Sequence, residues 1–252
     1  MRVEVFVGPS LPRRLKNLDP GVVVRAPAIR GDIYRATLRR PDAIVLMDGG
    51  FGFFPSVTHS EIMWALAEGI PVWGASGQGA LRAAELHAFG MRGVGAIYDA
   101  IKAGDITADG DVAVACSADG QALSVPLVDM RATLDRAARE SIVSGLTQGK
   151  LTELAQRMWY PECSYEQLIG DAVAAGIASQ EINQLAHWLE MNRVSPSQED
   201  ALKAIEEAVA WCSTSSRELT PAPFEFSASK DWLMLQDEVR SIDGAELAEP
   251  DG

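Results

Sequence analysis

Ile70-Pro71-Val72-Trp73-Gly74-Ala75-Ser76-Gly77-Gln78-Gly79-Ala80-Leu81-Arg82 runs from a short apolar stretch, through a glycine-bracketed bend, into a helical pattern. An apolar run without polar alternation reads as a strand buried on both faces, the habit of a parallel sheet. Gln78 to Ala88 then reads as a strong helix stopped by Gly90. Strand, tight bend and helix make the core of one crossover unit.

The same unit recurs upstream. Val3 to Val7 closes on Gly8-Pro9-Ser10, Val22 to Ala26 on Pro27 and Gly31-Asp32, and Ala43 to Met47 on Asp48-Gly49-Gly50. Between them, Asp32 to Arg40 has helical spacing, with Ile33, Ala36 and Thr37 facing inward. Thr58 to Glu68 does too, with Ile62, Ala65 and Leu66 on one stripe. Thr58 and Glu61 have capping-box spacing. Right-handed crossovers then predict an α/β fold. It is a Rossmann-like layer: a parallel sheet of about four or more strands with flanking helices.

Downstream the pattern changes. Asp111 to Cys116 and Ala122 to Val125 flank an Asp-Gly connection and read as a hairpin. Five helices follow at about 128–144, 147–158, 164–175, 179–191 and 196–212. The expected organisation is an α/β core over 1–145, a helical subdomain over 146–212, and a linker, short helix and acidic tail over 213–252. Within that last part, Asp231 to Ser241 reads as the helix and the final stretch as frayed.

Composition narrows the function classes. The 252 residues carry 47% apolar and 23% charged side chains, ordinary globular usage. Net charge is −13, which argues against a nucleic-acid or membrane binder. Residues 1–40 hold nine Lys/Arg against three Asp/Glu, so the first part is locally basic. It can hold an anion, or it can meet the acidic remainder within the fold or across a homo-oligomer. Three scattered cysteines exclude a full disulfide framework and suit reduced thiols in the cytoplasm. Met1-Arg2-Val3-Glu4-Val5 enters a strand at once, so no signal peptide is expected, and no apolar run reaches membrane length. No P-loop is present, Gly93-x-Gly95 is too weak for a dinucleotide site, and no metal or cofactor site is expected.

Ligands of open parallel sheets bind beyond the carboxyl ends of the strands. Ser10, Asp32, Asp48 and Ser76 each follow such an end, so they are expected at one edge. Ser76 on a strand-to-helix elbow is the candidate nucleophile, and the Gly77 and Gln78 amides a cradle for an anion. The alternative is that Ser76 only caps the helix. His59 is the candidate base, and Asp48 or Glu61 its orienting carboxylate. A partly exposed His, a capping Glu61 and a turn-binding Asp48 are the plainer readings. Gly8, Ser10, Asp32, Gly74, Gly79, Arg82 and Glu85 join Gly77 and Gln78 as candidate anion- or substrate-binding residues. Arg82 either pairs with Glu85 at i, i+3 or turns inward to an anion.

Several blocks together resemble TfuA-like proteins. They are Phe6-Val7-Gly8-Pro9-Ser10-Leu11, Gly31-Asp32-Ile33-Tyr34, Asp48-Gly49 with Phe51, and Val57-x-His59-x-Glu61-Ile62. Gly74-Ala75-Ser76, with Gly79-Ala80-Leu81-Arg82-Ala83-Ala84-Glu85-Leu86, is the most recognisable. Phe89-Gly90-Met91-x-Gly93-Val94-Gly95, Asp111-Val112-Ala113-Val114 and Leu127-Val128-Asp129-Met130-Arg131 continue the likeness to about residue 135. One departure is that the family pattern commonly has Ser-Met where this chain has Gly77-Gln78. The resemblance implies an accessory protein of YcaO-dependent backbone thioamidation in peptide natural-product (RiPP) biosynthesis. A YcaO enzyme and a ThiS-like sulfur-carrier protein are the implied partners, and the peptide substrate is met indirectly. A Ser/His hydrolase-type release of sulfur from a thiocarboxylate would suit the residues. A non-catalytic adaptor and a generic anion-binding α/β protein are the alternatives.

Overall fold

A computed structural model describes residues 1–11, 18–50, 55–117, 121–214 and 222–246, with side chains to 243. Five parallel strands form one sheet: β1 (Val3–Phe6), β2 (Val22–Arg25), β3 (Ala43–Leu46), β4 (Val72–Gly74) and β5 (Arg92–Gly93). Their order is β2-β1-β3-β4-β5. In register, Val3 lies beside Val22 and Ala43, and Leu46 beside Gly74. The chain reverses its direction of progress across the sheet between β1 and β3. That is the switch point where doubly wound sheets open a crevice.

The apolar runs alternate their side chains between two covered faces. Phe6, Ile44, Leu46 and Val72 pack with α1 (Asp32–Leu38), α2 (His59–Ala67), α3 (Gln78–Leu86) and α4 (Ala96–Ala103). Val3, Val5, Val45, Met47 and Trp73 face the other way. There they meet Ala201, Ala204, Ile205 and Ala208 of α9 (Pro196–Ser213). Burial on both sides explains why β1 and β3 read as continuous apolar runs. The capping box forms as expected: Thr58 Oγ1 accepts from the Glu61 amide, and Glu61 reaches back to the Thr58 amide.

The remaining helices are α5 (Leu127–Arg139), α6 (Gly145–Arg157), α7 (Tyr165–Ala174), α8 (Ser179–Asn192) and α10 (Lys230–Glu246). Met130, Leu134, Leu151, Leu168 and Leu185 of α5 to α8 share a separate core. Packing thus groups α5 with the helices that follow it and lays α9 against the sheet. Trp232, Leu235 and Val239 of α10 close on Tyr34. The last helix therefore docks, and extends beyond the expected Asp231 to Ser241.

The expected hairpin shrinks to one antiparallel bridge, Cys116 with Ala122, because Asp109–Asp111 turns as a short 3-10 segment instead. Its Asp119-Gly120 connection lies outside the described residues, as does Phe51. Cys116, Cys163 and Cys212 form no disulfide. Three arginines of the basic first part surround buried Glu4: Arg2 at 2.8 Å, Arg25 at 3.4 Å and Arg39 at 2.5 Å. Burial works to raise that carboxyl, but Arg39 and Arg25 outweigh it and hold it below the ordinary value. At least there, the positive charge is spent inside the fold. No helix among the described residues is long and apolar enough to cross a membrane.

Candidate functional site

Asp48 is the hub of the strand-end edge. It follows β3, is 7% exposed, and receives three hydrogen bonds from the turn after β1. Gly8 N donates to Oδ2 at 2.7 Å, Ser10 N to Oδ2 at 2.9 Å, and Ser10 Oγ to Oδ1 at 2.6 Å. Ser10 Oγ also lies 2.5 Å from Ser76 Oγ. A hydroxyl has one hydrogen, and that of Ser10 goes to Asp48. Ser76 is therefore the donor to Ser10, and the three side chains form a series Ser76→Ser10→Asp48.

Local chain geometry builds this series. Ser76 has φ of 61°, a left-handed conformation that costs a non-glycine residue about 1 kcal/mol or more. The kink turns the chain from β4 into α3 within three residues. Two glycines admit it: a Cβ on Gly79 would sit 1.9 Å from Leu46 O, and one on Gly74 would sit 2.2 Å from Gly79 O. Gly74 and Gly79, expected at the binding turn, thus serve close strand–helix packing. Gly77 and Gln78 stand at the start of α3, where the first amides have no partner within the helix.

Burial pushes the Asp48 carboxyl above its ordinary value, and the hydrogen bonds from Ser10 and Gly8 only partly offset this. Asp48 also lines a cavity of about 20 Å³ with Pro9, Pro27, Gly49, Gly77, Gln78, Val112, Val114 and Cys116. The segment from Val112 to Cys116 roofs the edge, a contact that local sequence pattern does not reveal. Burial, and then the Asp48 charge, raise the Cys116 thiol to about 11, so it stays protonated at neutral pH.

His59 is placed elsewhere. Its ring meets Glu85 Oε2 at 2.8 Å on an exposed surface, and Arg82 meets the same oxygen at 2.6 Å. Glu85 lies seven residues past Gln78, about 10 Å along α3 from the elbow. His59 and Ser76 are thus held by different partners, and no hydrogen bond joins them among the described residues. Starting α2 at His59 directs the ring towards α3's outer turns. Arg82 donates to Val57 O and pairs with Glu85 instead of turning to the helix start. Glu61, buried, accepts from Gly31 N and Thr58 and so ties α2 to α1. Asp32 accepts from Ile29 N and pairs with Arg35. Neither acid joins the Asp48 series. Among the described residues no group of three or more His, Cys, Asp or Glu is placed to hold a metal ion.

The fold and this edge define an α/β protein with a serine–carboxylate cluster at the switch point of a parallel sheet. Residues 48–164 match the family described as TfuA-like protein. The matched segment begins at Asp48 and contains Ser76, Gln78 and Cys116. That match supports an accessory role in the YcaO-associated pathway. No curated protein matches the chain.

Proposed function

We propose that the chain supplies sulfide to a YcaO enzyme by cleaving a thiocarboxylate donor at Ser76, in support of peptide backbone thioamidation. The observation that carries this reading is the in-series arrangement Ser76→Ser10→Asp48. Attack by Ser76 Oγ on the thiocarboxylate carbon forms an ester on Ser76 and breaks the carbon–sulfur bond. The Ser76 proton passes to Ser10 as the Ser10 proton passes to Asp48, and Asp48 then returns a proton to the departing sulfur, which leaves as hydrosulfide. A carboxylate raised by burial is a stronger base than an exposed one, which suits it to this task. The Gly77 and Gln78 amides are the candidate donors for the tetrahedral oxyanion, a contribution of roughly 3–4 kcal/mol in comparable sites. His59 has no step in this scheme. A YcaO enzyme and a ThiS-like carrier remain the proposed partners.

The test is sulfide release from thioacetate by the purified chain, read with a thiol-reactive dye. Ser76→Ala removes release while circular dichroism and the unfolding midpoint hold; His59→Ala retains it. A second reading has its own support, because Ser76 is wholly buried. There the series latches the β1 and β4 turns of an adaptor that docks a YcaO enzyme and a carrier. Under that reading Ser76→Ala still supports thioamide formation in a reconstituted YcaO reaction.

A further inference from the structure

Trp159 is 59% exposed, the bulkiest side chain left in water among the described residues. It stands between α6 and a short 3-10 turn, Tyr160–Glu162. The Tyr160 ring lies 6.2 Å from it, centre to centre, inclined at 71°. Both rings line a cavity of about 260 Å³. Leu127, Ala155 and Cys163 line it too, and all three are buried. Burial holds the Cys163 thiol above its ordinary value, so this part of the lining is uncharged. Asp111 is the one carboxylate among the described lining residues, which include no Lys or Arg. Arg131 donates to Asp111 Oδ2 at 2.8 Å, and Oδ1 accepts nothing from the described groups.

We propose that this cavity seats a lysine or arginine side chain from a segment of a partner protein. The chemistry of the lining chooses that occupant. Two aromatic rings at a steep angle offer their electron-rich faces to a cation. The spare Asp111 oxygen offers a charge-assisted hydrogen bond to its N–H groups. The uncharged part of the lining suits the alkyl stem, since long cationic side chains bury their methylenes and keep the head in a polar setting. A quaternary ammonium has no N–H and leaves that oxygen unserved. The net charge of −13 favours the approach of a basic partner surface. The cavity also joins two parts of the fold: Asp111 leads directly into Val112 of the roof over Asp48, and Leu127 and Ala155 belong to α5 and α6. A partner anchored there rests beside the roof of the candidate site. The inference does not depend on the Ser76 reading and holds for a hydrolase and an adaptor alike.

The experiment follows the tryptophan indole N–H signals of the full chain by NMR. Trp159→Leu, at an exposed position, identifies the Trp159 signal by its loss. The probes are the Nα-acetyl methylamides of lysine, arginine and norleucine, the last keeping the stem without the charge. The lysine and arginine probes should shift the Trp159 signal saturably, with midpoints of about 1–10 mM. The norleucine probe should bind about 5-fold more weakly, since it lacks the cation. Asp111→Asn should remove most of that preference and leave norleucine binding unchanged. Equal midpoints for lysine and norleucine overturn the proposal, because the cavity is then a socket for any apolar side chain. Choline binding more tightly than lysine overturns it as well, since the site then prefers a small quaternary ammonium. No shift with any probe at about 50 mM removes the site altogether. If Asp111→Asn does not fold, the wild-type preference is read again in about 0.5 M sodium chloride, where screening should shrink it. A preference untouched by that salt overturns the part given to Asp111.

Discussion

Two buried aspartates in this chain are dressed almost alike and do different work. Asp48 receives Ser10 N, Ser10 Oγ and Gly8 N. Asp129 receives Ser195 Oγ at 2.5 Å, Ser197 Oγ at 2.8 Å and Ser197 N at 3.0 Å. Burial raises both carboxyls. The difference is connectivity. At Asp129 the two serines donate in parallel, each hydroxyl ends on the carboxylate, and Ser195 also caps α9 by accepting from Gln198 N. At Asp48 they stand in series, so a second hydroxyl, on a residue in left-handed conformation, reaches the carboxylate through the first. Parallel donors fasten a helix end. A series can move a proton, and a strained residue at its far end is a mark of function more than of packing.

The widest gap between the two clusters is expected in rate. Ser76→Ala should lower sulfide release from thioacetate about 10³-fold or more, as removal of a nucleophile does. Ser197→Ala should leave that rate unchanged, since its hydroxyl ends on Asp129. Equal losses in the two variants would erase the distinction between series and parallel.

Stability should show the converse. Asp129→Ala strips the acceptor from two hydroxyls and from the Ser197 amide. A cost of about 2–3 kcal/mol is expected, because buried donors left unmatched are expensive. Urea unfolding with an unchanged slope measures it. A loss under 0.5 kcal/mol, roughly a surface-substitution effect, would show that the cluster fastens nothing.

The convergence of Ser10, Asp48 and Ser76 was legible because parallel strands bring their following turns to one edge. The Thr58–Glu61 box was legible because capping is local. His59 was not. Its nearness to a strand end says nothing about which way the first turn of α2 points, and it points to Glu85. β5 is two residues, Arg92–Gly93, held by pairing to β4, and so short a strand leaves no apolar run to read. The roof from Val112 to Cys116 and the cavity beside Trp159 depend on contacts between distant segments. Pattern reading over a single window cannot see either.

The two carboxyls should also part in their response to pH. Each has a folded-state value above the ordinary 3.8. Such a group contributes stability that is fully present below 3.8 and is lost as pH rises through the raised value. Asp129→Asn, uncharged throughout, should flatten that decline in urea midpoints taken across mildly acid to neutral pH. Asp48 must be ionised to take the Ser10 proton. Sulfide release should therefore climb with pH over the range where its stability contribution falls. A rate profile with its midpoint at the ordinary aspartate value would mean that Asp48 is not the base.

The smallest effect sharpens the comparison most cheaply. Ser195 holds Gln198 N at 3.2 Å and donates to Asp129, so Ser195→Ala removes one cap and one donor. About 1 kcal/mol of stability should go, the usual cost of losing a serine cap, with no change in sulfide release. Ser10→Ala is its counterpart at the other aspartate and removes a similar pair of hydrogen bonds. There the rate should fall, since the Ser76 proton loses its route to Asp48. If both variants lose only stability, the hydroxyl series is a latch, and the adaptor reading takes the place of the hydrolase.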